Sequence, residues 1–165
     1  MIQFCKDYLT EILGRLQVKK IYDDLSDLGR NRFPTPAVFV YPSEDEDLSE
    51  DGTLVSKEDD LVEKMRYYKV RKYKVVNYIY LLFVAKTESE ATQLRNRFLA
   101  ELKKTITDND NNQIDIKVNK STLHLSEDIL KKKVARELLL EFEGGIYTTR
   151  RFKLIDKFNP QEESE

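Results

Sequence analysis

The chain is short of the residues on which most recognisable chemistry depends. Of its 165 residues one is cysteine, Cys5, so an intrachain disulfide is impossible and a four-cysteine zinc site is excluded. One is histidine, His124, which excludes any mechanism that needs two. Five glycines and four prolines rule out a collagen-like or low-complexity chain. There is no G-x-S-x-G nucleophile turn, and neither G-x-x-x-x-G-K-S/T nor G-x-G-x-x-G for cradling phosphate. The longest apolar run, Tyr78 to Ala85, is far short of the roughly 20 residues that a membrane-spanning helix needs. Acids stand early at the N-terminus and no small-residue cleavage site follows an apolar run, so no signal peptide is read there. Charge of one sign is also missing: 35% of residues are charged, yet the net charge is -2, which argues against a wholesale polyanion binder. These exclusions leave a soluble protein of a reducing compartment or a virus particle.

The length predicts one domain, over 1–158, followed by a polar, acidic end at 159–165 that frays. Phe4, Tyr8, Leu9, Ile12, Leu13 and Leu16 recur at helical spacing, and Cys5 beside that face is read as a small core residue rather than a reactive thiol. Residues 17–36 are turn-rich. Ala37 to Tyr41 reads as a short buried strand closed by Pro42. The sharpest break follows. Residues 43–63 hold ten acids against the single base Lys57, too charged and too poor in apolar residues to pack, and are expected to form an exposed, flexible insertion. Lys64, Arg66, Lys69, Arg71, Lys72 and Lys74 then reverse the sign, interleaved with Tyr67, Tyr68 and Tyr73. Residues 65–86 read as strand, either one very long strand or two joined by an unmarked turn, with the half from Val75 to Ala85 apolar on both faces.

Thr87 and Glu90 fit a capping box, and Ala91, Leu94, Phe98, Leu102 and Ile106 predict the helix behind it. Asp108 to Asn112 break that helix. Ile114, Ile116 and Val118 alternate with charge as a half-buried strand that Thr122 to Leu125 would continue, and Ser126 to Lys133 has helical character. Residues 137–143, Gly144-Gly145 and 146–155 read as a hairpin turning on two glycines. The sum predicts an α+β class: a mostly antiparallel sheet with flanking helices, in a single domain.

Three fragments of chemistry fall to their structural explanations. Asp108-x-Asp110-x-Asn112 begins like a calcium loop, but the sixth position is Gln113 and the twelfth Asn119, so a polar connection is expected. Asp115-Ile116-Lys117 has the carboxylate-x-lysine spacing of many nucleases, a spacing that chance alone supplies in so charged a chain. His124 alternates with Leu123 and Leu125 and is placed on the wet face of a strand. The expectation is therefore no enzyme, no cofactor and no metal. The basic, tyrosine-rich stretch 64–74 is the one candidate for nucleic-acid contact, with cations for phosphate and rings for bases.

The order of these features resembles a family, the tail-terminator (tail-completion, U-like) proteins of long-tailed bacteriophages. The resemblance lies in the opening amphipathic helix, the strand Pro36-Ala37-Val38-Phe39-Val40, the charged insertion, and the tyrosine-rich strand Tyr78 to Lys86 running into the helix opened by Thr87-Glu88-Ser89-Glu90-Ala91. It implies a virion protein assembled in the host cytoplasm, whose copies form a ring, commonly hexameric. That ring caps the tail tube and joins it to the head, with tail-tube and head-completion proteins as partners and DNA only passing through. Each subunit of a ring needs two different, complementary surfaces. The basic residues 64, 66, 69, 71, 72 and 74, with Glu44, Asp45, Glu46 and Asp47, are the candidate subunit interface. The alternative is a small nucleic-acid-binding module that uses 64–74.

Overall fold

The computed structural model describes residues 1–23, 25, 26, 28, 33–124 and 133–154. Along the chain these form α1 (Ile2–Arg15), β1 (Lys20–Tyr22), β2 (Ala37–Glu50), β3 (Leu54–Asp60), β4 (Met65–Ala85), α2 (Glu88–Glu101), β5 (Thr105–Thr107), β6 (Gln113–His124) and β7 (Val134–Lys153). Strands take 57% of the described residues and helices 21%, so the fold is mostly β. This corrects the expected α+β class with flanking helices. The correction comes from strand found where other structure was expected: β2 continues past Tyr41 to Glu50, β3 lies within 43–63, and the expected hairpin over 137–155 is the single 20-residue strand β7.

The chain divides into two compact units, Met1–Leu48 with Val75–Gly144, and Ser49–Lys74 with Gly145–Glu165. In the first, strands stand in the order β1-β2-β4-β7-β6-β5. β1 and β2 are parallel, whereas β5–β6 and β6–β7 are antiparallel, so the sheet is mixed. Successive strand residues point to opposite faces, and β4 buries both. Ile79, Leu81 and Phe83 join Cys5, Leu9, Ile12 and Leu13 of α1 and Leu94 and Phe98 of α2 in the main core, together with Val38 and Val40 of β2, Ile114 and Ile116 of β6 and Leu138, Leu140 and Phe142 of β7. Leu82 and Val84 join Phe33, Ala37, Phe39 and Ala135 in a second cluster, where Tyr22 stacks on Phe39 at 4.6 Å. That double burial is the reason for the unbroken apolar run. α2 begins as expected: Thr87 accepts from the Glu90 amide at 3.2 Å, while the Glu90 carboxylate accepts from the Lys86 amide at 3.1 Å. It ends at Glu101, and Ile106 is a buried residue of β5.

The second unit is built from strands in the order β3-β4-β7. β3 lies antiparallel to β4, with Asp59 opposite Arg66 and Asp60 opposite Met65. β7 also runs antiparallel to β4, since Leu154 donates to the Lys64 carbonyl and Lys69 lies over the Tyr147 ring. No described residue of this unit is buried.

Several local expectations change. Residues 43–63, expected as a flexible insertion, are mostly exposed and hold the outer part of β2, the 51–53 turn, β3 and the next turn. Pro42 does not close its strand. It lies past the end of β1, where β2 borders the sheet and a residue without an N–H is tolerated. Residues 65–85 form one strand, not two. Gly144 and Gly145 are not a turn but the middle of β7, and no described glycine has a positive φ. At Gly145 the requirement is close approach: a Cβ would lie 2.8 Å from the Tyr73 carbonyl oxygen and run into the Arg71 side chain. The helical character read at 126–133, apart from Lys133, and the end at 159–165 lie outside the described residues.

Candidate functional site

Nine of the ten residues of the candidate interface fall on two strands, and Lys64 lies in the turn before β4. Glu44, Asp45, Glu46 and Asp47 belong to β2 in the first unit, and all are exposed. Glu46 accepts from the Asn77 amide at 3.3 Å, and Asp47 accepts the Tyr78 hydroxyl. That bond to a carboxylate pushes the Tyr78 hydroxyl pKa up to about 12. The backbone amide of Asp45 donates to the Ser43 hydroxyl at 3.1 Å.

The basic residues belong to β4 and the turn before it, in the second unit. Arg66 and Arg71 are neutralised within the chain. Arg66 forms a two-pronged pair with Asp59, Nε to Oδ1 at 2.6 Å and Nη2 to Oδ2 at 2.8 Å. The pairing holds the Asp59 carboxyl below the usual range and raises the guanidinium. Arg71 donates from Nε to Asp51 at 2.5 Å. Asp51 is the hub of the 51–53 turn. Its other oxygen accepts from the Gly52 amide at 2.6 Å, the Thr53 amide at 2.8 Å and the Thr53 hydroxyl at 2.6 Å. The Thr53 hydroxyl is the largest cause of its depressed pKa, ahead of Arg71. The turn after β3 is built alike: Asp60 accepts from the Val62 and Glu63 amides, and Lys64 takes a φ of 53°. Lys69 sits 5.3 Å from the Tyr147 ring centroid, Lys72 is exposed and Lys74 is half-buried.

Opposite charges so close in sequence thus meet within one subunit at Arg66 and Arg71, through Asp59 and Asp51, two acids outside the candidate set. The same pairing draws on the nucleic-acid alternative. Tyr67 donates to Glu63 at 3.3 Å, and Tyr68 packs edge-on against Phe152 at 5.6 Å. The other fragments also find local partners. Lys117 donates to Glu143 at 2.9 Å, while Asp115 accepts from Thr105 and Gln113. Asp108 accepts from the Asp110 and Asn112 amides at 2.9 and 2.8 Å, as a turn-former does. Among the described residues no three His, Cys, Asp or Glu side chains are placed to share a metal. His124 sits 3.4 Å from Glu137, whose carboxylate also accepts the Tyr41 hydroxyl at 3.2 Å; burial first, then Glu137, raise that tyrosine's pKa. No described helix is long and apolar enough to cross a membrane.

Residue-by-residue reading missed a further set. Arg150, Arg151 and Lys153 are exposed at the end of β7, and the signal was legible as three cations in four positions. Leu61 and Val62, 79% and 94% exposed, crown the β3–β4 turn; Leu54, Val55, Ile146 and Phe152 are also exposed in the second unit. No known family model matches the chain, and no curated protein matches it either.

Proposed function

We propose that the chain is a structural, non-enzymatic protein of a phage or prophage virion, of the tail-terminator or neck type. Its copies close into a ring that caps the tail tube and joins it to the head. The reading rests first on the order of features: an amphipathic helix, a strand after Pro36, a charged hairpin, and the tyrosine-rich β4 running into α2. One structural observation supports an assembly role above others. The second unit is made of strands, has no buried described residue, and exposes Leu54, Val55, Leu61, Val62, Ile146 and Phe152. Three strands without a buried face are poorly stable alone, and exposed apolar groups rimmed by charge mark contact surfaces. Nucleic-acid binding through 64–74 has less support, because Arg66, Arg71, Tyr67 and Tyr68 already hold partners.

Light scattering and electron microscopy of the purified chain, alone and with tail-tube subunits, test the proposal. Closed rings that seat on tube ends are the expected result. A chain that stays monomeric at high concentration in both conditions overturns it.

A further inference from the structure

The strand-only unit has two borders of opposite charge. β3 pairs with one side of β4, and the end of β7 lies on the other. The end of β2 is in line with β3, because Asp51 donates to the Lys72 carbonyl. The β6 ladder stops at Asp115 opposite Glu143, so beyond that point β7 has β4 as its described neighbour. The first border carries Glu50, Glu58, Asp59 and Asp60 against Lys57. The second carries Arg150, Arg151 and Lys153, with no acid from 145 to 153. Asp59 is committed to Arg66, but Glu50, Glu58, Arg150 and Lys153 make no ion pair among the described residues. Each border also exposes apolar side chains, Leu54 and Val55 on one, Ile146 and Phe152 on the other.

A strand border presents N–H and C=O groups that another strand can satisfy. We propose that the occupant is a second copy of this chain: the β7 border of one subunit pairs with the β3 border of the next, head to tail. The proposal deepens the assembly reading above and rests on it. Charge selects the arrangement. Two β3 borders, or two β7 borders, would bring like charges together, so a two-fold dimer through either is disfavoured. The β3–β7 contact joins unlike charges, and such a heterologous contact repeats until rotation closes the ring. Direction agrees. β3 and β7 both run antiparallel to β4 and hence parallel to each other. Rotation about an axis along the strands preserves their direction, so each added copy extends the same sheet through a parallel β7–β3 ladder. The ladder and the exposed apolar groups supply affinity, while charge sets partner and register.

Two variants of the full chain test this by sedimentation across concentration at low salt: Glu50→Lys with Glu58→Lys, and Arg150→Glu with Lys153→Glu. Each alone is expected to weaken self-association by at least about tenfold. Mixed one to one, they are expected to assemble together, because each then meets a border of opposite sign. A chain with all four substitutions is expected to assemble by itself. Either two-site variant assembling like the natural chain overturns the proposal and leaves the ring to another surface. So does a mixture and a four-site chain that both stay dissociated. A natural chain that never associates, alone or with tube subunits, overturns the assembly reading as well.

Discussion

At the scale of single residues, charge in this chain is spent locally. Asp51 collects three donors from its own turn and one from Arg71, and ties β2, the turn and β4 to one carboxylate. Its folded pKa is lowered, so its contribution to stability is fully present above the ordinary carboxylate value near ~3.9 and is lost as pH falls through the lowered one. A carboxyl-carbon NMR titration is expected to place its midpoint below that ordinary value, and Thr53→Ala to move it back up. An unchanged midpoint in that variant would contradict the role given to the hydroxyl. Cys5 behaves oppositely. Burial against α1's neighbours pushes its thiol up to about 12, so almost no thiolate exists at neutral pH. Thiol reagents at pH 8 are expected to leave the native chain unlabelled and to label it fully in denaturant; fast labelling of the native chain would show that the core is open there.

At the scale of elements, stability should concentrate where burial does. Phe83 and Phe98 are fully buried and in contact, with ring centroids 5.5 Å apart. Phe83→Ala is expected to cost about 3–5 kcal/mol in denaturant unfolding. Thr87→Ala should cost about 1 kcal/mol, by loss of one cap. The legible elements were those whose signal is local. α2 announced itself through Thr87 and Glu90, and β4 from Val75 to Ala85 through its apolar run. The rest failed for one physical reason: strand pairing is not local. Residues 54–60 are too acidic to look like a strand until Asp59 is seen opposite Arg66. Gly144-Gly145 has the composition of a turn, and only the nearness of Arg71 and the Tyr73 carbonyl explains a glycine at 145 within a strand. The candidate interface was half legible for the same reason. The sign reversal between 43–63 and 64–74 is visible in composition, whereas the partners Asp51 and Asp59 depend on register.

At the scale of the whole molecule, the two units differ in kind. The first carries the apolar cores, and the second has no buried described residue. Burial is the main term that offsets the entropy of ordering a chain, so the second unit depends on strand ladders, two carboxylate-ordered turns and surface pairs. Hydrogen exchange of the dissociated chain should report this difference. Amides of 54–60 and 146–153 are expected to exchange much faster than those of 79–85 and 135–142, because their openings need no core to come apart. Assembly through the strand borders would reverse the order. Border amides that face solvent in one subunit would become ladder donors in the next, and exposed Leu54, Val55, Ile146 and Phe152 would lose water. Protection should therefore rise with concentration in 54–60 and 146–153 and remain flat in the first unit. Protection that is already complete in the dissociated chain would mean that the strand unit is stable without a neighbour, and its exposed apolar residues would then need another explanation.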